Sequence, residues 1–428
     1  MTIDSLKRKI KIEGIGGSLL YYISRMLSKI ELQIVGRMTA RYGKLHKNYI
    51  VLKNRTMQDM TDNPKAFFEY LIQNGYNENY EIIWMVSEKK KFRNLRYKNV
   101  KFVTAETKYG WSSPLAYYYG AVAGFFFYAN NTAYLNLYHC KGQITVNLWH
   151  GCGYKDVAKE GHEPPAGKSM MHFDYALVPG PVFVDTKSRY WKTDKNKILP
   201  LGYPRYDWML HPSLNRQELF KKLLGSVPEK AVIWMPTFRK SDVLVSAENE
   251  IELPFQLPAL KNEKELQELD AELQKQNVVL LIKKHPLQSG WNLKEQDYTS
   301  IRYITEEKLE ETSVQLYELV GSCDALISDY SSIAVDYMLL DRPLGYVLTD
   351  LDRYKETRGF VFDDPLKYMP GEKIYDLNGL KKFIRQAARG EDDFGEQRRK
   401  LLPQMHTMPV KKSYCQELAR YLELEKNN

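Results

Sequence analysis

The sequence predicts an α/β protein with two doubly wound domains, each built on a parallel sheet. Its 428 residues are too many for one ordinary core, and two domains of roughly 200 residues each are the default expectation. Short runs rich in Val, Ile and Tyr alternate with helix-length amphipathic stretches, which is typical of parallel strands joined by helical crossovers. A charged segment between turn signals near residues 210–230 then separates two series of such runs.

Ten short apolar runs, several of them bounded by Gly, Pro, Asp or Asn, are predicted to be strands. They are Tyr49–Leu52, Glu81–Val86, Val100–Val103, Gly124–Tyr128, Gln143–Leu148, Tyr175–Val178, Val232–Met235, Val278–Ile282, Ala325–Ile327 and Leu344–Val347.

The series of strands suggests four parts of the chain. We expect a basic amphipathic segment over 1–40, an N-terminal domain over 41–215, a C-terminal domain over 216–375, and helices over 376–428 that pack across both. Ligands of doubly wound sheets bind at the carboxyl ends of the strands. Two such domains facing each other would therefore share one cleft.

The positive charge is concentrated at the start of the chain. The formal net charge is +9, and residues 1–60 carry twelve Lys or Arg against four carboxylates. The remainder is close to neutral, which argues against a nucleic-acid-binding protein. Four scattered cysteines without a CxxC pair, and no secretory signal, favour a cytoplasmic protein with reduced thiols.

An apolar stripe at helical spacing lies inside this basic region. Such a helix either lies on an anionic bilayer or docks on its own domain, and the coincident charge favours the membrane. No apolar run reaches the roughly 20 residues that a spanning helix needs, so we expect a peripheral protein on the cytoplasmic face of the membrane. The stripe consists of Leu19, Ile23, Met26, Leu27, Ile30 and Ile34, and the preceding cations are Lys7, Arg8, Lys9 and Lys11.

The most informative segment is Ile327–Tyr337, with the sequence ISDYSSIAVDY. An apolar strand runs into a short polar turn, and a helix-like stretch follows. Free N–H groups at a helix start favour phosphate, and Ser331 and Ser332 add hydroxyl donors. We expect this turn to bind a nucleotide diphosphate.

Other chemistry-bearing residues follow predicted strands. His150, in the sequence WHGCG, is placed as a general base, although a structural histidine bonded to a carbonyl is equally common. His285, in KKHP, ends the strand Val278–Ile282, and Arg239 and Arg205 end the segments PTFR and GYPR. Arginine binds phosphate bidentately, but a surface role is the ordinary alternative for each.

Taken together, these motifs resemble the CDP-glycerol glycerophosphotransferase family, the teichoic acid primases and polymerases of Gram-positive cell walls. The resemblance covers roughly residues 45–400. No single motif is specific, but the ordered set is: WHG, GYPRxD, PTFR, KHP, SDYSSxxxDY, RP and DRYKETRGF.

The resemblance implies a fold, a reaction and its substrates. The expected fold is GT-B-like, with two facing Rossmann-like domains, and no metal or other cofactor is needed. The expected donor is CDP-glycerol or CDP-ribitol, and the acceptor is a glycan linked to undecaprenyl diphosphate in the membrane. The alcohol, the choice between primase and polymerase, and the oligomeric state stay open.

The resemblance also implies roles for individual residues. His150 would take the proton of the acceptor hydroxyl, and His285 would contact the donor pyrophosphate. Asp336 would meet the ribose or orient a cation. The remaining donor-binding residues would be Arg205, Thr237, Arg239, Lys284, Ser331 and Ser332.

One departure and two alternatives remain. The family often has Thr and Pro after WHG, whereas this chain has Cys152 and Gly153, which leaves the acceptor preference open. A GT-B glycosyltransferase that uses a UDP- or CMP-sugar is the alternative enzyme. A catalytically silent membrane adaptor that retains the fold is the alternative from another class.

Overall fold

Two parallel sheets form the body of the computed structural model, which describes residues 3–55, 59–156, 172–237, 257–283, 298–357 and 359–425. Within these residues every strand pairing inside the sheets is parallel, and helices lie between most successive strands. The predicted α/β class with two Rossmann-like sheets is therefore confirmed.

The N-terminal sheet has seven strands in the order β3-β2-β1-β4-β5-β6-β7. Six of them correspond to the predicted runs, and the short strand β7 was not predicted. The strands are β1 His46–Lys53, β2 Glu81–Val86, β3 Val100–Thr104, β4 Ala123–Tyr128, β5 Ile144–Asn147, β6 Tyr175–Leu177 and β7 Ile198–Leu199.

The C-terminal sheet has six strands in the order β10-β9-β8-β11-β12-β13. In both sheets the strand order reverses beside the first strand, between β1 and β4 and between β8 and β11, and such switch points are where doubly wound sheets bind ligands. The strands are β8 Lys230–Trp234, β9 Val278–Lys283, β10 Ile301–Ile304, β11 Ala325–Ser328, β12 Leu344–Val347 and β13 Glu372–Ile374.

Fifteen α-helices occur in the described residues. They are α1 Ile3–Glu31, α2 Arg37–Tyr42, α3 Asp62–Gln73, α4 Pro114–Val122, α5 Val182–Trp191, α6 Tyr206–Leu210, α7 Arg216–Leu224, α8 Glu263–Lys275, α9 Glu306–Thr312, α10 Leu316–Ser322, α11 Ser332–Tyr337, α12 Leu351–Thr357, α13 Leu377–Arg389, α14 Gly395–Met405 and α15 Tyr414–Tyr421.

Apolar packing is continuous between the two sheets. One buried cluster includes Trp84 of the N-terminal sheet and Tyr337 of α11, so its members come from both halves of the chain. A second cluster around Trp234 lies within the C-terminal half, under α8 and α13. Protein interiors are closely packed and transmit strain. The shared cluster therefore fixes the two halves of the chain relative to each other.

The last helix, α15, returns to the N-terminal half and packs against α3 and α6. Its start is held by Asp207, whose carboxylate accepts hydrogen bonds from the Ser413 hydroxyl at 2.8 Å and from the backbone N–H of Tyr414 at 2.7 Å. The end of the chain, which follows the C-terminal sheet, thus packs on helices of the N-terminal half.

Helix α1 is kinked at Gly14, where φ is +72°. One side of it docks on the N-terminal half, because Ser28 is buried and accepts a hydrogen bond from the Ser112 N–H at 2.8 Å. The apolar stripe lies on another side, and its six side chains from Leu19 to Ile34 are 43–61% exposed. In the part of the chain that the structure describes, no helix combines the length and apolar character needed to cross a bilayer.

Candidate active site

The loop after β5 carries His150. Asn147 accepts a hydrogen bond from the Trp149 N–H at 2.9 Å, and the Trp149 indole donates to the Gly151 carbonyl at 2.8 Å. Asn63, at the start of α3, donates to the Trp149 carbonyl at 3.1 Å. The turn is therefore held at several points, and the His150 backbone has a fixed position at the carboxyl edge of the sheet.

The turn after β11 carries the two serines. Ser331 is the N-cap of α11, and its side chain makes no capping hydrogen bond. Asp329, one residue after β11, accepts a hydrogen bond from the Thr237 N–H at 2.9 Å and from the Thr237 hydroxyl. Thr237 follows β8, so this contact connects the loops that follow β8 and β11, the two strands at the switch point of the C-terminal sheet.

These two loops touch each other across the cleft. A Cβ atom on Gly153 would lie 2.9 Å from the Ser332 nitrogen and 3.0 Å from its Cα, and one on Gly151 would collide with the Ser332 hydroxyl. The glycines therefore allow the two halves of the chain to approach. The His150 loop and the start of α11 are therefore in direct contact, although they follow strands of different sheets.

Arg205 connects the same two loops. Its guanidinium donates to the His150 carbonyl at 3.1 Å, to Asp62 at 2.8 Å and to Asp336 of α11 at 2.8 Å. The side chain is 4% exposed, so its charge is neutralised by protein groups on both sides of the cleft. Paired, hydrogen-bonded burial is the condition under which such a charge is tolerated.

The fully buried Asp336 carboxylate has partners on both oxygens. Besides Arg205, the hydroxyls of Tyr206 and Tyr317 donate to it. The ring of Tyr317 also lies 4.4 Å from the Arg205 guanidinium carbon. This geometry favours a structural role for Asp336, and its contact with the donor stays a prediction.

The electrostatic environment of His150 keeps its ring neutral. Burial, followed by the positive charges of Arg55, Lys187 and Arg205, holds the pKa of His150 well below its usual value of 6.5. The ring packs 4.0 Å from that of Trp149, and Nδ1 is buried with no hydrogen-bond partner in the described part of the chain. A neutral imidazole is the form that accepts a proton.

Two of these cations were not identified from the sequence. Arg55 lies two residues after the end of β1, and this strand-end position was the signal that could have found it. Lys187 lies on α5 with its ammonium 4.9 Å from the Trp149 ring and 5.0 Å from the Tyr190 ring, and burial lowers its pKa. Nothing in the sequence around it distinguishes it from an ordinary helix residue.

Three predicted residues, Arg239, Lys284 and His285, lie outside the described residues. The residue before the last two, Lys283, ends β9 and pairs with Glu306 at 2.7 Å. β9 pairs in parallel with β8, so the two strands end at the same edge of the sheet. The roles of the three residues stay predictions.

Two Rossmann-like parallel sheets packed against each other are the architecture of the GT-B-like class. The chain is similar over its length to a solved structure of the wall teichoic acid polymerase TagF, with a TM-score of 0.72 and 21% identity over 99% of this chain and 98% of that one. This likeness establishes the fold.

The family follows from the sequence comparisons. Residues 36–412 match the model of the CDP-glycerol:poly(glycerophosphate) glycerophosphotransferases, and the chain belongs to that family. Its enzyme class, a polyol phosphotransferase, is thereby confirmed.

Two relatives illustrate the range of the family. A teichoic acid glycerol-phosphate transferase of Staphylococcus aureus is 24% identical, covering 82% of this chain and 87% of its own. A teichoic acid ribitol-phosphate primase of Bacillus spizizenii is 28% identical, covering 56% of this chain and 60% of its own.

The contact between the loops predicts the effect of Gly153→Ala. The added methyl group meets the Ser332 backbone, which cannot rotate away, so the cleft must widen. We expect glycerophosphotransferase activity to fall on the order of tenfold to a hundredfold. Gly379→Ala in α13 is the control, because its Cβ has room. Equal activity of both variants would contradict the close approach.

The Arg205 cluster predicts the effect of Asp336→Asn. Removing the carboxylate charge leaves a buried guanidinium less compensated, so the free energy of unfolding should fall by about 3 kcal/mol. Chemical denaturation measures it. The surface pair Glu268–Lys381 supplies the control Glu268→Gln, which should change the free energy of unfolding far less, because exposed ion pairs contribute little to stability. Unchanged stability with weakened donor binding would instead support the donor-binding role.

Proposed function

We propose that this chain transfers glycerol phosphate or ribitol phosphate from the CDP-alcohol to a hydroxyl of a lipid-linked glycan acceptor. CMP is released, and the product belongs to teichoic acid or a related cell-surface polymer. The acceptor would enter from the side of residues 41–215, and the donor would be held by residues 216–375. Both S. aureus and B. spizizenii relatives are named for polyol-phosphate transfer, which supports the reaction class.

One observation carries the proposal: the His150 loop meets the Tyr330–Ser332 turn across the cleft. The proposed base and the proposed phosphate-binding turn would therefore approach the same volume from opposite sheets. A phosphoryl transfer between two substrates requires this arrangement, since each substrate needs its own binding surface and the reacting atoms must meet.

The proposed step is an in-line displacement. The acceptor oxygen attacks the β-phosphorus of the CDP-alcohol, the bond from that phosphorus to the bridging oxygen breaks, and CMP leaves with the electron pair. His150 accepts the hydroxyl proton. The two serines, Arg239 and His285 would stabilise charge on the phosphoryl oxygens, and positioning would supply most of the acceleration.

The same proposal places the enzyme on the membrane. The acceptor is lipid-linked, and α1 presents an exposed apolar stripe beside the basic start of the chain. An amphipathic helix of this kind lies in the interface plane of a bilayer with anionic lipids. The helix would hold the cleft close to its acceptor on the cytoplasmic face.

The catalytic assignment predicts that His150→Ala lowers the rate of transfer on the order of 10²–10⁴-fold. CMP release from CDP-glycerol and from CDP-ribitol, with a synthetic lipid-linked disaccharide as acceptor, measures it. UDP-glucose serves as the donor for the glycosyltransferase alternative. His211→Ala is the control, since His211 is exposed. A His150→Ala enzyme with near-normal transfer would remove the base assignment.

The pH dependence follows from the lowered pKa of His150. The pKa of His150 lies well below its usual value of 6.5, so the ring is still neutral at pH 6.5. We therefore expect kcat/KM to be level from about pH 6.5 to 8 and to fall only at lower pH, where the imidazole becomes protonated. The profile of kcat/KM against pH reports the base of the free enzyme. An acid limb centred at or above 6.5 would exclude the environment described for His150.

The membrane assignment predicts that Leu19→Gln, Met26→Gln and Ile30→Gln together weaken binding to anionic vesicles about tenfold or more, because each removes apolar area from the contact. Co-sedimentation measures it. All three side chains are exposed, so folding should be unaffected. Val227, Met408 and Val410, also exposed, give a matched triple Gln control. Equal vesicle binding by both triples would rule out the stripe as the contact.

A further inference from the structure

A basic pocket lies beside the N-terminal sheet, away from the cleft. It is formed by the segment 88–99 between β2 and β3 together with β3 itself, and its volume is about 600 Å³. Small-molecule sites commonly measure about 300–1,000 Å³. The reaction described above uses none of its residues, so the pocket is a separate feature of the molecule.

The charge of the pocket is uncompensated. Six of the residues from 89 to 98 are Lys or Arg, and Glu88 is the one carboxylate of the segment. Lys98 pairs with Glu78, but Lys90, Arg93 and Arg96 are exposed and form no ion pair with any described residue. Several like charges held together in a concavity raise the local concentration of anions.

Aromatic contacts hold the segment in place. Phe92 stacks on Phe102 of β3 with ring centroids 5.3 Å apart, and Tyr97 packs edge-on against Phe68 of α3 at 5.4 Å. The Lys89 N–H also donates to the Thr104 hydroxyl at 3.1 Å. The cations therefore lie on a loop that is packed against the sheet and α3, and aromatic side chains form part of the pocket lining.

The pocket lies along the outer edge of the N-terminal sheet. Its segment leaves the carboxyl end of β2, where the Lys89 N–H donates to Thr104, and runs back to the start of β3, where the Asn77 amide donates to the Lys98 carbonyl at 3.0 Å. The edge strand β3 is four strand spacings from β5 in the order β3-β2-β1-β4-β5, which is about 19 Å across the sheet at about 4.8 Å per spacing.

We propose that this pocket binds the phosphate-bearing chain of the acceptor or product, a phosphodiester-linked polyol. The inference rests on the proposed function, whose product contains such a phosphodiester-linked polyol. Exposed cations in a concavity are complementary to a polyanion, and Phe92 and Val100 in the lining offer apolar contact to its carbon chain. The proposed function assigns the donor to the C-terminal sheet, and a flat bilayer surface does not fill a concavity.

Direct binding tests this assignment on the full chain. The probe is a synthetic glycerol-phosphate oligomer, and its Kd is measured by calorimetry. Lys90→Glu, Arg93→Glu and Arg96→Glu together should weaken oligomer binding about tenfold or more and leave the Kd for CDP-glycerol unchanged. The control triple is Lys221→Glu, Lys222→Glu and Lys275→Glu, which changes the net charge equally at exposed sites of the other half.

The outcomes separate the explanations. Oligomer binding lost in the pocket triple and kept in the control supports the proposal. Equal weakening in both triples shows unspecific charge attraction and overturns it, as does a native protein that does not bind the oligomer. If the pocket triple weakens binding to anionic vesicles and leaves oligomer binding unchanged, the cations contact the bilayer, and this result also overturns the proposal. Failure of the native enzyme to release CMP would refute the proposed function, while the binding measurement still decides the pocket.

Discussion

The buried Arg205 cluster is the interaction on which the cleft depends. One guanidinium binds the His150 carbonyl on the N-terminal side and Asp336 of α11 on the C-terminal side. A charge that is 4% exposed has no alternative partner in solvent, so opening the cleft would strand it, at a cost of several kcal/mol. The cluster therefore works as a geometric constraint: it fixes the catalytic loop relative to the helix start that faces it.

The glycines of the WHGCG loop belong to the same constraint. Glycine allows another group to approach the backbone closely. In the structure, the group that approaches Gly153 is the Ser332 backbone. Small residues at this point let the two sheets come into contact, and the Arg205 cluster then holds them there. Close approach and charge pairing are two parts of one mechanism of assembly.

The sequence predicted the central strands because buried parallel strands are apolar, rich in branched residues and bounded by turns. It missed Ile198–Leu199, Ile301–Ile304 and Glu372–Ile374, which are edge strands of two to four residues and too short to show a strand pattern. Strand-end motifs identified the His150 and Ser331 loops, since parallel strands end at one edge. The pairing of Arg205 with Asp336 spans 131 residues and has no local pattern, so only the folded chain reveals it.

The charges around His150 have two consequences that act together. Burial, together with the charges of Arg55, Lys187 and Arg205, lowers the pKa of the His150 imidazole, which keeps the ring neutral and also makes it a weaker base. Phosphoryl transfer tolerates this, because its loose transition state needs positioning and charge stabilisation more than strong proton abstraction. Arg55 and Lys187, unlike the paired Arg205, also favour the phosphates that must enter the cleft. A positively charged site with a neutral histidine therefore suits anionic substrates better than an electrically neutral site with a more basic one.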